Sequence, residues 1–354
     1  MRKAFFRLVH SYVEHTPPHP GRGVLMKLAT RVYPAGYEDA CASARSRHAP
    51  TEQVNGATGA GARPPEPAKS LGYNKLCNLE DFSHPDLLSV LRQVFQHDLS
   101  RLGPSFPRGF EYRKQWEVAM TLRTFADTGV LRPDAEVLGV GAGNEPTIFW
   151  LTNFVKRVFA TDLYLDPGNW AESANASMLV DPSCHWPGPW NRRRLVAQHM
   201  NGLELAYEDN TFDAIFSSSS IEHFGTPADV RRAVEEMFRV LRPGGVLSIS
   251  TEFRIEGPPP GMPGVLMFDE RELRALFLTG LAWEPVSPWD LGLSAPTRAS
   301  EVDYATFSDD MTWHVARYGH ILFHKVSFRS YPLVVLRKRD LLWTSVHIAL
   351  RKPS

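Results

Sequence analysis

Three glycines close together are the first residues whose spacing points to chemistry. Gly139, Gly141 and Gly143 lie in the sequence VLGVGAGNE, residues 137–145. Glycine lets the backbone approach a ligand where a side chain would collide, although a tight turn without a ligand uses glycines in the same way. Nineteen residues after Gly143, Asp162 ends the apolar run VFATD. An acid at that separation accepts hydrogen bonds from both ribose hydroxyls, so the two features predict an adenosine-containing ligand.

The order of the glycines argues against two common nucleotide-binding loops. The dinucleotide pattern Gly-x-Gly-x-x-Gly fails because Asn144 or Pro146 stands at its last glycine. The sequence also lacks a phosphate-binding Gly-Lys-Ser/Thr loop. The glycine loop therefore disfavours NAD and FAD.

Alternating strands and helices must position these residues. A helix that begins at Pro227 is predicted by Thr226 as its N-cap and by Gly244 and Gly245 after its end. Because strands alternate with helices, we expect an α/β fold with a doubly wound, mostly parallel sheet and a C-terminal antiparallel hairpin. The predicted strands are 135–140, 157–161, 194–197, 212–217, 246–251, 333–336 and 343–350, and the predicted helices are 113–128, 147–155 and 227–241.

Further segments in the same order complete a pattern. After the glycine loop and Asp162 come LAYEDNTFD at 205–213, SSSSIEH at 217–223 and LRPGG at 241–245. Together they resemble the class I S-adenosylmethionine-dependent methyltransferases of the small-molecule and glycan-tailoring type, over roughly residues 113–285. The resemblance implies a Rossmann-like sheet, S-adenosyl-L-methionine as the cofactor and methyl transfer as the activity.

The resemblance also implies which residues contact the cofactor. The glycines would line its methionine and ribose side, Asp162 would hold the ribose, and Asn201 would face the adenine through its amide oxygen. Asp213 is expected to be structural, at the entry to its strand. The implied cofactor-binding set is Gly139, Gly141, Gly143, Asp162, Asn201, Gly202, Ser217 and Ser218.

The chain departs from the family at two positions of the glycine loop. Gly139 stands where the family has an acid that organises the methionine end, and Glu145 stands where the family has a third glycine. A nearby carboxylate such as Glu145 would substitute for the missing acid.

Glu222 and His223 are the candidate catalytic residues, because the resemblance places them beside the acceptor pocket. A hydroxyl acceptor must lose a proton, and histidine suits that task near neutral pH. Capping and packing of the following helix is the alternative role. A quinone-methylating subgroup has metal ligands in a Glu-x-x-Glu-His pattern here, but Ser219 replaces the first Glu, so no metal is predicted. His320 and His324 are spaced for a metal on a helix, and we interpret that spacing as incidental.

Net charge and cysteine content indicate which partners and which cellular location to expect. Lys and Arg number 39, as do Asp and Glu, so the net charge is zero and a dedicated nucleic-acid partner is disfavoured. Three cysteines without Cys-x-x-Cys spacing favour a reducing, cytoplasmic location. We expect neither a signal peptide nor a membrane-spanning segment.

Composition divides the chain into four segments. Residues 1–41 predict an amphipathic helical segment, and its basic residues 1–13 are the candidate for a weak membrane-surface contact. Residues 42–69 predict a flexible linker, and 70–130 a helical cap. The methyltransferase domain would occupy 131–354, with insertions at 163–193 and 288–331 that bear aromatic residues and would build the acceptor site.

These features predict O-methylation of a saccharide or another small-molecule hydroxyl. Methylation of an aromatic or polyketide-type hydroxyl is the first alternative. A cofactor-binding scaffold without turnover is the second, because Gly139 departs from the family pattern and Asn201 stands where the family usually has an Asp. The sequence does not indicate an oligomeric state.

Overall fold

The structure, a computed structural model, describes residues 71–98, 106, 107, 109, 111–166, 168–170, 173–318 and 331–354. The predicted helical segment 1–41 with its membrane contact and the predicted linker 42–69 lie outside these residues, as do His320 and His324. The chain divides into two units. The larger comprises Leu71–Asp98, Glu111–Glu301 and Leu333–Ser354. The smaller comprises Met1–Ser70, Leu99–Phe110 and Val302–Pro332.

Strands and helices alternate along the larger unit, and β11 and α8 belong to the smaller one. The strands are β1 (Asn74–Leu76), β2 (Glu136–Val140), β3 (Arg157–Asp162), β4 (Leu195–His199), β5 (Phe212–Ser218), β6 (Leu241–Glu256), β7 (Gly261–Met262), β8 (Val265–Leu266), β9 (Glu284–Pro285), β10 (Trp289–Asp290), β11 (Val302–Asp303), β12 (Leu336–Lys338) and β13 (Leu341–Arg351). The helices are α1 (Pro85–Phe95), α2 (Arg113–Asp127), α3 (Pro146–Leu151), α4 (Ser177–Val180), α5 (Pro227–Val240), α6 (Glu270–Leu278), α7 (Ala295–Ala299) and α8 (Tyr304–Tyr318).

The main sheet has the strand order β10-β1-β13-β6-β5-β2-β3-β4. Strands β2 to β6 are parallel, whereas β13 is antiparallel to both of its neighbours, β6 and β1. The predicted doubly wound sheet and the C-terminal hairpin of β12 and β13 are confirmed. The chain adds β3 and β4 on one side of β2 and then returns to place β5 and β6 on the other. Such a reversal opens a crevice at the carboxyl ends of β2 and β5, where ligands of open α/β sheets bind.

Helix α5 forms as the sequence predicts. Thr226 accepts a hydrogen bond from the Asp229 amide, and the Asp229 carboxylate accepts one from the Thr226 amide, so the first turn carries a capping box. Its apolar face joins the core formed with β5 and β6. Helical spacing gives that face its buried residues Val230, Ala233, Val234, Met237 and Val240.

The segment 70–130, predicted to be entirely helical, also contains a strand. Helices α1 and α2 lie where they were expected, but β1 inserts between β10 and β13. A strand of three residues is too short to produce an alternating pattern, so it could not be predicted from periodicity.

The described part of the chain contains no helix that is both long and apolar enough to cross a bilayer.

Candidate cofactor and acceptor site

The glycine loop after β2 turns through backbone conformations that other residues rarely adopt. Gly141 has a φ of +61° and Gly143 a φ of +53°. A Cβ on Gly141 would lie 2.0 Å from the Ser220 hydroxyl oxygen, and one on Gly143 would lie 2.7 Å from the Ser173 carbonyl oxygen. The glycines are therefore required by the packing of the protein itself, in addition to any approach by a ligand.

Asp162 ends β3 beside this loop, as predicted. One carboxylate oxygen accepts a hydrogen bond from the Gly143 amide at 2.8 Å, and the other accepts one from the Leu163 amide at 2.7 Å. Burial raises the pKa of the Asp162 carboxyl. Each oxygen can accept a second hydrogen bond, so the carboxylate is oriented and able to bind a pair of ribose hydroxyls.

Asn201 and Gly202 follow β4 and reach the same loop. The amide of Met200 donates to the Asp162 carbonyl at 3.0 Å, which places this segment beside the end of β3. A Cβ on Gly202 would lie 2.9 Å from Val140. The Asn201 side-chain oxygen accepts from the Leu203 amide at 3.0 Å, so it has one lone pair left for an adenine amino group.

The end of β5 contributes buried hydroxyls that have no partner. Among the described residues, neither the Ser217 nor the Ser218 hydroxyl forms a hydrogen bond. The Thr147 hydroxyl and one carboxyl oxygen of Glu145, both at the start of α3, are likewise buried and unpaired there. Buried polar atoms are normally satisfied, so these atoms have capacity for hydrogen bonds to a polar ligand in the crevice.

Asp213 is structural, as predicted. Its carboxylate accepts from Arg132 at 2.6 Å, from the Glu136 amide at 2.8 Å and from Arg242 at 3.0 Å. These contacts join the start of β5 to the start of β2, at the end of the strands opposite to the glycine loop.

His223 lies in a short 3-10 turn after β5. The hydrogen-bond partner of one ring nitrogen shows which nitrogen carries the hydrogen. Its Nδ1 lies 2.9 Å from the carbonyl oxygen of Gly264, in the turn between β7 and β8. A carbonyl oxygen only accepts, so Nδ1 carries the hydrogen and Nε2 keeps a lone pair in the neutral ring. Trp170 lies against the imidazole, with 4.0 Å between ring centroids. Burial lowers the pKa of His223 below its usual 6.5, so the ring is neutral at pH 7.

Glu222 points into the protein next to His223. Its side chain is buried, and one carboxyl oxygen accepts from the Thr251 hydroxyl at 2.8 Å. Burial raises the pKa of Glu222 to about 8, with a further contribution from Glu252 and opposition from Lys114. Glu222 is therefore mostly protonated at neutral pH, and its hydrogen bond is made to β6 and not to the helix that follows.

A buried cluster of charges on α2 and β6 lies beside the site, and no sequence motif predicts it. The Lys114 ammonium donates to Glu117 and to Glu252, each at 3.1 Å, and also to the Ser219 hydroxyl. Arg113 donates to the same Glu252 oxygen at 2.9 Å. We call Arg113, Lys114, Glu117, Ser219 and Glu252 the charged cluster.

The partners in the charged cluster stabilise one another's charges. Burial alone would lower the pKa of Lys114, but Glu117 and Glu252 raise it overall. Burial alone would raise the pKa of Glu252, but Arg113 and Lys114 lower it overall. Ser219, which stands where the quinone-methylating subgroup has its first Glu, thus contacts an ammonium of the protein itself. The described residues include no group of three or more His, Cys, Asp or Glu side chains arranged for a metal ion.

Comparison with known proteins agrees with this geometry. A family model described as a methyltransferase domain matches residues 138–249, which run from the glycine loop to β6. This match supports the resemblance of the segment to the class I S-adenosylmethionine-dependent methyltransferases. S-adenosylmethionine is the cofactor of this family.

Relatives of the methyltransferase domain match over short stretches. A probable S-adenosylmethionine-dependent methyltransferase of Mycolicibacterium smegmatis is 40% identical over 88 residues, which are 25% of this chain and 33% of the relative. A human protein named probable tRNA methyltransferase 9B is 41% identical over 77 residues, 21% of this chain and 17% of the relative. The chain thus spans a third or less of the length of both curated relatives. Among solved structures, the YcgJ protein of Bacillus subtilis aligns with 68% of this chain and 99% of its own, at 17% identity and a TM-score of 0.41.

The residues present fit the cofactor of the family. Asp162 is oriented for the ribose, and Asn201 has an acceptor left for the adenine. Buried polar atoms that can bind a polar group belong to Glu145, Thr147 and Ser218. These residues would hold S-adenosylmethionine in the crevice between β2 and β5. When bound, it supplies a methyl group on a positively charged sulfur.

Proposed function

We propose that the protein transfers the methyl group of S-adenosylmethionine to a hydroxyl oxygen of a saccharide or another small molecule, with His223 as the base. The observation that carries this proposal is the hydrogen bond from His223 Nδ1 to the Gly264 carbonyl at 2.9 Å. It leaves Nε2 as the proton acceptor and holds the ring beside the end of β5, where the cofactor site lies.

The proton balance of the reaction supports His223 over its neighbours. S-adenosylmethionine would supply the methyl group and leave as S-adenosylhomocysteine, and Nε2 of His223 would accept the proton that the acceptor hydroxyl loses. Glu222 has a pKa of about 8 and is mostly protonated at pH 7, so it is a poor base there. Lys114 keeps its proton because its pKa is raised, so it contributes charge and no base.

Aromatic and polar groups near His223 suit a ring-shaped acceptor with several hydroxyls. Trp170 is 46% exposed and lies against the His223 ring, so one of its edges is accessible to an acceptor. One carboxyl oxygen of Glu252 is buried and unpaired within the described residues, and carboxylates accept readily from hydroxyls. The same indole would also stack on an aromatic acceptor, which keeps an aromatic or polyketide-type hydroxyl as the second candidate.

Substitution of His223 tests the base directly. We expect His223→Ala to lower kcat roughly 10²–10⁴-fold, the usual contribution of a general base, and to leave the Kd for S-adenosylmethionine unchanged. Transfer of radiolabelled methyl to a panel of saccharides and phenols gives kcat, and calorimetry gives Kd. His97→Ala, an exposed histidine on the surface of the same unit, is the matched control.

The pH dependence separates His223 from Glu222. With His223 as the base, kcat of the parent enzyme falls only below pH 6.5, because the pKa of the ring is lowered. A decline centred near pH 8 that Glu222→Gln removes would transfer the role to Glu222. A folded His223→Ala with kcat within about threefold of the parent would reject the histidine.

Two further outcomes would reject the proposal as a whole. Cofactor binding without methyl transfer to any member of the panel would favour the scaffold without turnover. Methylation of tRNA in preference to small hydroxyls would contradict both the acceptor class and our proposal that no nucleic acid is a partner. Equal numbers of acidic and basic residues support that latter proposal, since phosphate backbones require a basic surface.

A further inference from the structure

The position that carries an acid in the family has no room for a side chain here. A Cβ on Gly139 would lie 2.6 Å from the ring of Phe216 and 2.8 Å from the Cβ of Ala142. Phe216 is fully buried, and its ring packs edge to face against Phe125 of α2, with 6.4 Å between centroids. An acid at residue 139 would therefore require repacking of the core under the crevice.

Glu145 offers a carboxyl group a few residues further along the same loop. It occupies the N-cap position of α3, yet its side chain does not cap that helix. One of its carboxyl oxygens is buried and has no hydrogen-bond partner in the described part of the chain. The Thr147 hydroxyl beside it is fully buried and equally unpaired, and so is the Ser218 hydroxyl at the end of β5. The two hydroxyls lie near enough to the Glu145 carboxyl to affect its pKa, so three buried polar groups converge on the crevice from α3 and β5.

We propose that the Glu145 carboxyl binds the α-ammonium group at the methionine end of S-adenosylmethionine, with the Thr147 and Ser218 hydroxyls as accessory partners. The proposal rests on the proposed function, because it takes S-adenosylmethionine as the cofactor. An ammonium carries three N–H donors, which matches three converging oxygens.

The surroundings of Glu145 couple the binding of the ammonium group to the release of a proton. Glu117 and Lys114 face it from α2, and Tyr164 faces it from the segment after β3. Burial, with a smaller contribution from Glu117, raises the pKa of Glu145 to about 8, while Lys114 and the hydroxyls of Ser218 and Thr147 oppose the rise. Glu145 therefore holds a proton at pH 7, and an incoming ammonium favours the carboxylate and expels that proton to solvent.

This linkage gives the affinity a predictable pH dependence. The free protein binds one proton more at Glu145 than the complex does at pH 6–7, so the affinity for S-adenosylmethionine rises with pH in this window, by up to about tenfold per pH unit. Replacing Glu145 with Gln removes the titrating group and should flatten the dependence.

Calorimetric binding of two ligands to the full chain tests the inference. S-adenosylmethionine carries the ammonium, whereas 5′-methylthioadenosine has the same nucleoside and sulfur but no amino-acid end. We expect Glu145→Gln to weaken binding of S-adenosylmethionine about tenfold or more and to change that of 5′-methylthioadenosine less than twofold. Titrations at pH 7 in buffers of different ionisation enthalpy should show proton release by the parent protein and none by the variant. Glu284→Gln, an exposed glutamate on β9, is the matched control.

Each result decides between the assignments. Equal weakening for both ligands would show that Glu145 only shapes the loop, and an unchanged affinity for S-adenosylmethionine would show that it does not contact the ammonium. Either result overturns this inference and leaves the proposed function standing. A parent protein that binds neither ligand would overturn the proposed function itself, and this inference with it.

Discussion

At the scale of single residues, Asp162 combines two tasks in one carboxylate. Its oxygens hold the amides of Gly143 and Leu163, which fixes the glycine loop against the end of β3. The same oxygens face the crevice with lone pairs that suit the ribose hydroxyls. The loop and the proposed ribose contact would therefore depend on one carboxylate, and we expect a change at this residue to affect both.

Removal of the Asp162 carboxylate should weaken both cofactor binding and the stability of the fold. Hydrogen bonds to a charged group contribute about 1.5–3 kcal/mol each, so we expect Asp162→Ala to raise the Kd for S-adenosylmethionine tenfold or more. The loss of the two amide contacts should lower the free energy of unfolding by about 1–3 kcal/mol. Calorimetry and urea unfolding measure the two effects, and Asp134→Ala, an exposed acid before β2, is the control. An unchanged affinity would contradict the assignment to the ribose.

The sequence predicts those residues whose role depends on their position along the chain. Asp162 and Asp213 follow or begin an apolar run, so their place at a strand end could be inferred. Glu145 was named from the glycine loop alone, whereas the role of Phe216 depends on a contact across the crevice. Nothing local to Gly139 shows that a ring from β5 fills the space of its side chain.

At the scale of the elements, α2 is buried on all sides. Its polar residues Gln115, Glu117 and Thr121 are as inaccessible as its apolar ones, and Glu117 faces the charged cluster. The Ser345 hydroxyl of β13 also donates to Glu117, and Arg113 and Lys114 reach Glu252 on β6. Ion pairs and hydrogen bonds therefore connect α2 to the strands beneath it.

Removal of one partner from the charged cluster should lower the free energy of unfolding substantially. Lys114→Met leaves two buried carboxylates without their shared cation, and losing one member of a buried pair costs about 3–5 kcal/mol. Lys114 is partly accessible, with 29% of its side chain exposed, so we expect the lower part of that range. Lys156 is paired with Glu136 at the same 3.1 Å, but 55% of its side chain is exposed. Lys156→Met should cost less than about 1 kcal/mol. Denaturant unfolding that shows equal losses for both variants would contradict the buried role.

The bounds of the elements were predicted best where capping residues mark them. Thr226 and Pro227 place the start of α5, and Gly129 ends α2 with a φ of +76°. Strand β6 was predicted to end at residue 251 and extends to Glu256. Polar residues from Thr251 onward hid this extension, because they are buried by contacts with Glu222 and with the charged cluster.

At the scale of the whole molecule, a buried histidine joins distant parts of the chain. The His347 ring on β13 is fully buried, with Nδ1 donating to the Tyr73 carbonyl at 2.6 Å and Nε2 accepting from the Ser248 hydroxyl at 2.8 Å. Burial lowers the pKa of His347 to about 4. The neutral ring is therefore part of the folded state.

His347 should make the protein sensitive to moderate acid. The unfolded chain takes up a proton near pH 6.5 and the folded one near pH 4, so this contribution to stability is complete above pH 6.5 and is lost as the pH falls towards 4. Between pH 7 and pH 5 the loss is about 2 kcal/mol. His347→Gln should reduce the pH dependence of the unfolding free energy by that amount in urea titrations. The same pH dependence in the variant and the parent would contradict this origin.

The central position of β13 carries a consequence for where the chain can be cut. Residues 74–76 cover one side of β13 through the pairs Lys75–His347 and Leu76–Val346, and the Asn74 side chain accepts from the Ala349 amide at 2.7 Å. A shortened chain that began at residue 78 would leave this row of amides and carbonyls open and deprive His347 of its carbonyl partner. An unpaired strand edge can form hydrogen bonds with the edge of a second molecule, so such a fragment would tend to self-associate through β13. A fragment that began at residue 71 would keep the edge of β13 covered.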